Sequence, residues 1–275
     1  MGIRENVGSG FRDVDATTDP SIYIKYLSDR ASGPDSQLNR LFLVSLLGLN
    51  ASDRVLDIGC GLGDDARMIA KVLTEGGSVA GVDRSWALIS EARRRSEGSD
   101  LPVDFLVGDA HHLAFSESSF DCCVAERVFQ HLADPRQTLG EIIRLTKPGG
   151  RVLVTDPDWG TLTVDSSDRN LTLRITQAIS DRVIRNGWVG RQLAGMFVTA
   201  GLIDVEVFPS VGVKRNHADA WHVYCLAEGV QEAVTTGCIS SADATRWIDE
   251  LEAASRVGRF FASLSGFAVL GRKSR

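Results

Sequence analysis

Residues Val55 to Asp65 read VLDIGCGLGDD, and the rest of the chain is organised around them. Val55, Leu56 and Ile58 are β-formers, whereas Gly59, Gly61 and Gly63 can take positive φ or let a ligand lie against bare backbone. Ala66, Met68, Ile69, Ala70, Val72 and Leu73 then recur at helical spacing. A short strand, an acid near its end, a glycine turn and a helix make half of a βαβ unit.

Turns of the form G-x-G-x-x-G also cradle dinucleotides, so the residues around the glycines have to separate the two cases. A dinucleotide sets its pyrophosphate on the helix N-terminus. Here Asp64 and Asp65 occupy that end, where carboxylates suit the helix dipole but repel a diphosphate. The turn therefore favours a cation, or at least a ligand without phosphate. The third glycine falls at Gly63, giving G-x-G-x-G, and Asp57 stands just ahead of the turn. In these residues the stretch resembles motif I of the class I S-adenosyl-L-methionine (SAM) methyltransferases, whose ligand carries a sulfonium, an amino-acid end and an adenosine. The resemblance implies SAM as cofactor, bordered by Asp57, Gly59, Cys60, Gly61 and Gly63.

Composition narrows the class. At 275 residues the chain is near the upper limit for one hydrophobic core, which points to a single α/β domain with an elaboration. Hydrophobic content of 43%, charged content of 24% and 7 prolines belong to an ordinary soluble globule. Net charge is -6 with arginines scattered, so no basic stripe offers a nucleic-acid footprint. No apolar leader and no bilayer-length run stand out, which makes the cytoplasm the default and membrane insertion unexpected. The five cysteines include no C-x-x-C pair, and Cys122 and Cys123 would face opposite sides of a strand. With the acids dispersed and no H-E-x-x-H or EF-hand pattern, no metal is expected.

Residues 1–19 show no usable period and read as a mobile arm. Ile22, Tyr23, Tyr26 and Leu27 form one apolar stripe and Leu38, Leu41, Phe42 and Leu46 a second, so residues 1–50 read as an arm and helical cap ahead of a SAM-binding domain at 51–275. Such a cap resembles the lid that small-molecule methyltransferases close over SAM and acceptor. Tyr23 and Tyr26 are then candidate acceptor linings, or simple packing residues.

After the first βα unit, Ser78 to Val82 reads as a strand ending in Asp83, about 20 residues past the glycines, where a ribose-binding acid belongs. Asp83 and the adjacent Arg84 are candidate cofactor contacts, with a helix cap or turn acid the alternative for Asp83. Val103 to Val107 forms a third strand, and FLVGDAHHLAF resembles the family's adenine-reading motif, which implies that Asp109 and Ala110 meet the adenine edge. His111 and His112 are assigned no role.

Phe120 to Val124 reads as the fourth strand, opening onto Glu126-Arg127-Val128-Phe129-Gln130-His131-Leu132. The carboxyl edge of a central strand is where open α/β sheets place chemistry. The stretch from Phe120-Asp121 to His131-Leu132 resembles the small-molecule methyltransferase loop beneath the sulfonium, implying cofactor contact at Glu126 and Arg127. His131 is the candidate general base or acceptor-orienting group, with capping or packing as the alternative. A helix from Pro135 follows, and KPGGRVLV resembles the family's turn into strand five, Arg151 to Thr155. The resemblance spans residues 53–156.

Farther on, Trp159 and Arg191 are candidate acceptor contacts. Helical spacing covers Leu171 to Ile184 and Leu193 to Ala200, Leu202 to Phe208 reads as strand six, and a helical pair is expected within about 216–257. Residues 267–270 finish as a strand that, by the resemblance, inserts antiparallel. The expected fold is thus a Rossmann-like seven-stranded sheet, six strands parallel and the last antiparallel, with an N-terminal cap and a helical insertion between strands six and seven. The expected activity is SAM-dependent methyl transfer to an O, N or C nucleophile of a small, largely apolar acceptor, as in quinone or natural-product metabolism. The alternatives are a SAM-fold cyclase or binding module without transfer, and an NAD(P)-dependent oxidoreductase.

Overall fold

The computed structural model describes residues 10, 11, 13–32 and 34–275, with side chains at 34–36 excepted. Residues 1–9 and 12 of the expected arm lie outside the described residues. In chain order the elements are α1 (Ser21–Ala31), α2 (Pro34–Leu47), β1 (Arg54–Ile58), α3 (Asp64–Ala70), β2 (Ser78–Asp83), α4 (Trp86–Ser96), β3 (Val103–Val107) and β4 (Phe120–Glu126). There follow α5 (Pro135–Leu145), β5 (Thr146–Pro157), β6 (Thr163–Val164), α6 (Arg169–Ala178), α7 (Val189–Thr199), β7 (Ile203–Lys214), α8 (His217–Val223), α9 (Leu226–Thr235), α10 (Ser241–Arg256) and β8 (Ala262–Arg272).

β1 sits mid-sheet between β2 and β4, in parallel register with both. Val55, Leu56 and Ile58 are wholly buried, which is why this strand reads as an apolar run and not an alternation. Cys122 and Cys123 on β4 belong to separate core clusters, one on each side of the sheet. β3, β2, β1, β4 and β5 are parallel neighbours in that order. β8 inserts antiparallel beside β5 and pairs along its other edge with β7.

Among the described residues the sheet has eight strands where seven were expected. The addition is β6, whose two residues pair with Ala262 and Ser263 of β8 and are too short to carry a period. The expected helical pair is three helices, because Cys225 takes a left-handed φ of 52° and starts α9 directly after α8. The run through Ile184 also divides, α6 passing into a π-helical turn at Ile179–Val183. These helices pack around Trp247, Phe260 and Ile179 as a second core beside the sheet. Trp247 is fully buried and donates through Nε1 to Thr172 Oγ1 at 3.0 Å, a packing role.

The described part of the arm is docked, contrary to the mobile arm expected. Val14 is buried, and the Asp15 carboxylate accepts from Ser85 Oγ at 2.6 Å, Trp86 N–H at 2.7 Å and Ala87 N–H at 3.2 Å. It thereby caps α4, whose first-turn N–H groups have no intrahelical partner.

Candidate functional site

The turn after β1 depends on its glycines. Gly59, Gly61 and Gly63 have φ of 67°, 52° and 75°, where a side chain is strained. A Cβ at Gly59 would meet Val128 Cγ2 at 2.4 Å, and one at Gly63 would meet the Phe105 ring at 2.4 Å. Gly59 and Cys60 donate their N–H groups to Val82 O at 2.7 and 3.0 Å. Gly61 N–H donates to Asp83 Oδ2 at 3.0 Å, while Ser85 N–H donates to Oδ1 at 2.9 Å. Asp83 therefore clamps the glycine turn to the turn after β2. Burial pushes its carboxyl above the usual range, against the pull of the Ser85 and Gly61 N–H groups.

Beneath this turn lies a group of acids. Asp57 is nearly fully buried, and its Oδ2 has no hydrogen-bond partner among the described residues. Burial, reinforced by Glu126 and Asp83, raises its pKa to about 8. Asp65 is also pushed well up, first by burial and then by Glu126, with which it shares a hydrogen bond. A hydrogen bond between two carboxyls needs a proton, and Asp65 is the one that carries it. Glu126 stays ionised because Arg30, Asp65 and Arg127 outweigh its burial. Two arginines from the cap reach in: Arg30 Nη2 is 3.5 Å from Glu126 Oε1, and Arg40 Nε is 2.5 Å from Asp65 Oδ1. The second contact is close in distance, but its angle is not that of a hydrogen bond.

At the ends of β4 and β5 the chain crosses the sheet's carboxyl edge. Arg127 has a left-handed φ of 59°, uncommon for a bulky residue, and donates its N–H to Thr155 O at 2.7 Å. Asp156, wholly buried, accepts from Phe129 N–H at 2.9 Å and Gln130 N–H at 3.4 Å. Burial raises it to about 8 against the pull of Arg127. Gln130 in turn donates to Arg127 O at 3.1 Å and accepts from Trp159 Nε1 at 2.8 Å. The loop holding His131 is thus fixed by buried hydrogen bonds, and the His131 ring packs 5.5 Å from that of Phe11.

These parts surround one cavity of about 990 Å³. Of the residues singled out from sequence, Gly59, Cys60, Gly61, Asp83 and Arg84 line it on one side. Asp109, Ala110, Glu126, Arg127 and His131 line it farther round, with Tyr26 and Trp159. Asp57 and Gly63 lie off the wall, below the turn they support. Two acceptor candidates are not brought to the cavity. Tyr23 is buried in a small cluster with Val14, Leu62 and Leu88, stacked edge-on against Phe11. Arg191 places Nε 2.5 Å from Asp158 Oδ2 and its guanidinium over the Trp188 ring, 4.4 Å from the centroid. Trp159 is only 2% exposed, so it meets the cavity at an edge.

Asp109 is held at its exposed rim. His111 donates to it from the backbone at 2.9 Å and from Nδ1 at 2.6 Å, while His111 Nε2 accepts from Asp134 N–H at 3.2 Å. That arrangement fixes the Nδ1–H tautomer. The His111 contacts lower the Asp109 pKa despite some burial. Sequence reasoning missed Arg30, Arg40 and Asp156 as site residues, and read Asp65 only as a helix-start acid that repels a diphosphate. The buried Asp156 had one available signal, its position at the end of β5 on the same sheet edge as Asp57, Asp83 and Glu126.

A family model described as a methyltransferase domain matches residues 49–187. Over 250 residues the chain is 35% identical to an uncharacterised 37.1 kDa protein in a transposon of Streptomyces fradiae, covering 90% of this chain and 71% of that protein. It is 36% identical over 132 residues to the 2-phytyl-1,4-naphtoquinone methyltransferase of Synechococcus elongatus, which is 47% of this chain and 57% of that enzyme. Among solved structures, phosphoethanolamine N-methyltransferase 2 of Haemonchus contortus, bound to S-adenosylhomocysteine, superposes with a TM-score of 0.63. Identity there is 23%, over 96% of this chain and 60% of that one, and shows the shared fold.

Proposed function

Because the chain belongs to the methyltransferase domain family, of the class I SAM-dependent type, we propose that it transfers a methyl group from SAM to a nucleophile on a small acceptor bound in the same cavity. The observation that carries this reading is the glycine turn itself. Two left-handed glycines, Gly59 and Gly61, leave bare backbone on the cavity wall beside Asp83, and acids occupy the helix start where a diphosphate would need none. A cavity of about 990 Å³ is at the upper end for one ligand, which leaves room for a second molecule.

In this reading Asp83 accepts from the ribose hydroxyls, and Asp109 takes the adenine amino group at the rim. Glu126 and Asp65 receive the ammonium of the amino-acid end, while Arg30 and Arg40 receive its carboxylate. A cationic ligand above the turn would favour the ionised form of Asp57, whose Oδ2 has no partner among the described residues. When bound, SAM supplies a methyl carbon already activated by its sulfonium. The protein holds the acceptor nucleophile in line with that carbon, keeps water out and accepts any proton released. His131, on the loop fixed by Asp156 and Gln130, is the base in this reading. With SAM bound, the imidazole would take the proton that the acceptor nucleophile releases on methylation. Quinone-like and other apolar natural products are the acceptor class we favour, given the relative that methylates a naphthoquinone.

The test is thermal. SAM and S-adenosylhomocysteine should raise the melting temperature and NAD and NADP should not, because only a ligand of the native state shifts that equilibrium. Equal stabilisation by NAD would sink the assignment, and release of S-adenosylhomocysteine with an acceptor panel would establish transfer.

A further inference from the structure

On the cavity wall two half-buried cations, Arg127 and Lys214, carry no side-chain hydrogen bond or ion pair among the described residues, and only Arg127 has the forked donor set of a guanidinium. The guanidinium of Arg127 makes no hydrogen bond or ion pair among the described residues, whereas its backbone is held at both ends, by Thr155 O and by Gln130 Nε2. The other arginines near the cavity are engaged: Arg30 with Glu126, Arg40 with Asp65, Arg191 with Asp158. Glu126, its neighbour in the chain, meets Arg30, and Asp156 directs its oxygens to the Phe129 and Gln130 N–H groups. A half-buried guanidinium carries five donors, and leaving them dry without an acceptor is costly. The left-handed φ at this residue is a second cost, kept in place by its neighbours.

Resting on the methyltransferase reading, we propose that Arg127 anchors a carboxylate on the acceptor. Arg127 acts electrostatically on Glu126 and Arg30 beside the glycine turn, and beyond them on Tyr26, Cys225 and Asp156, groups from the cap, the insertion and β5. Arg30 and Arg40 are each paired with an acid under that turn and, in the proposed reading, serve the amino-acid end of the cofactor. The cavity also offers apolar side chains, Tyr26, Ile184, Val211, Val213 and Leu264, beside the cation Lys214. The acceptor is therefore a molecule with an apolar body and one carboxylate, fixed in orientation by a bidentate arginine contact. A lysine at this position offers the charge without the fork.

Wild type, Arg127→Met and Arg127→Lys, each saturated with S-adenosylhomocysteine, are titrated calorimetrically with aryl and medium-chain carboxylates and, separately, with their methyl esters. The expected result is that acids bind the wild type at least about tenfold more tightly than their esters. Arg127→Met should erase that preference and leave ester affinities within about twofold, with Arg127→Lys in between. An absence of acid preference across the panel overturns the proposal. So does a tenfold loss of S-adenosylhomocysteine affinity in Arg127→Met, which would place the arginine on the cofactor's own carboxylate. A wild type that does not bind S-adenosylhomocysteine at all overturns the methyltransferase reading, and this inference with it.

Discussion

Replacing Asp83 with alanine tests the cofactor site where two roles meet in one carboxylate. Its oxygens already accept from Gly61 N–H at 3.0 Å and Ser85 N–H at 2.9 Å. In the proposed complex the same oxygens take the ribose hydroxyls. Loss of a charged hydrogen-bond acceptor is worth about 1.5 to 3 kcal/mol. At about 1.4 kcal/mol per factor of ten, Asp83→Ala should weaken S-adenosylhomocysteine roughly tenfold to 150-fold by calorimetry. The fold should also suffer, by about 1 kcal/mol for each amide left without its acceptor, read as a lower denaturation midpoint. Asp83→Asn keeps one acceptor oxygen and should fall between the two.

A comparison of adenosine with 2′,3′-dideoxyadenosine separates the roles. Wild type should prefer adenosine, and Asp83→Ala should not, because only the direct contact distinguishes ligands that differ in ribose hydroxyls. If the variant loses affinity yet keeps the preference, Asp83 is a clamp of the two turns alone. If its S-adenosylhomocysteine affinity stays within twofold of wild type, the ribose assignment is refuted outright.

Other outcomes follow from the same geometry. Gly59→Ala should destabilise the protein by about 1 to 3 kcal/mol in urea unfolding, from the left-handed φ and the 2.4 Å approach to Val128 Cγ2, and Val128→Ala should recover part of that. If His131 is the base, His131→Ala should lower kcat by about 100-fold to 10,000-fold with S-adenosylhomocysteine binding unchanged; recovery by His131→Gln would mean orientation, and near-normal kcat in both would return it to packing. Asp156, raised to about 8 when folded against about 4 when unfolded, holds a proton in the native state that the unfolded chain lacks. Its contribution to stability is therefore full below about pH 4 and lost as pH rises through about 8. Asp156→Asn should flatten the fall in melting temperature between about pH 4 and 8, and an unchanged profile would show that the carboxyl is ionised throughout. Asp15→Ala should release the arm from α4, read as faster proteolytic cleavage ahead of Ser21, and an unchanged cleavage rate would leave Val14 as the anchor.

The local grammar of the fold was legible because each sign lies within a few residues. A glycine turn between an apolar strand and a helix, acids at strand ends and a proline opening α5 all act at short range. What escaped depends on partners far apart in the chain. Arg30 meets Glu126 across 96 residues, and Arg191 meets Asp158 across 33. No spacing rule announces such pairs, so Arg191 read as a free cation when it is engaged, and Arg30 was not singled out at all. Tyr23 and Tyr26 share a stripe at helical spacing, yet one turns into the cluster under Phe11 and the other lines the cavity. Three residues of rotation separate burial from exposure to ligand, and only the docking of the cap onto the sheet decides which is which.

The acids at the carboxyl edge explain why this cavity suits a cationic ligand. Asp57, Asp65, Asp83 and Asp156 all sit above the ordinary carboxyl range, and in each case burial is the first cause. Among the deeply buried acids under the glycine turn Glu126 is pulled down instead, because two cap arginines, Asp65 and Arg127 surround it. A packed apolar edge would make the empty protein more stable, since buried acids left without cations weigh against folding. The arrangement makes sense when a positive ligand completes it. An ammonium or sulfonium brought beside Asp57, Asp65 and Glu126 favours their ionised forms, so binding draws on potential the fold has already assembled. A diphosphate would meet the same field with the opposite sign. The cap then has a second function besides covering the cavity: by delivering Arg30 and Arg40, it keeps the acids from repelling one another and leaves one ionised carboxylate facing the ligand.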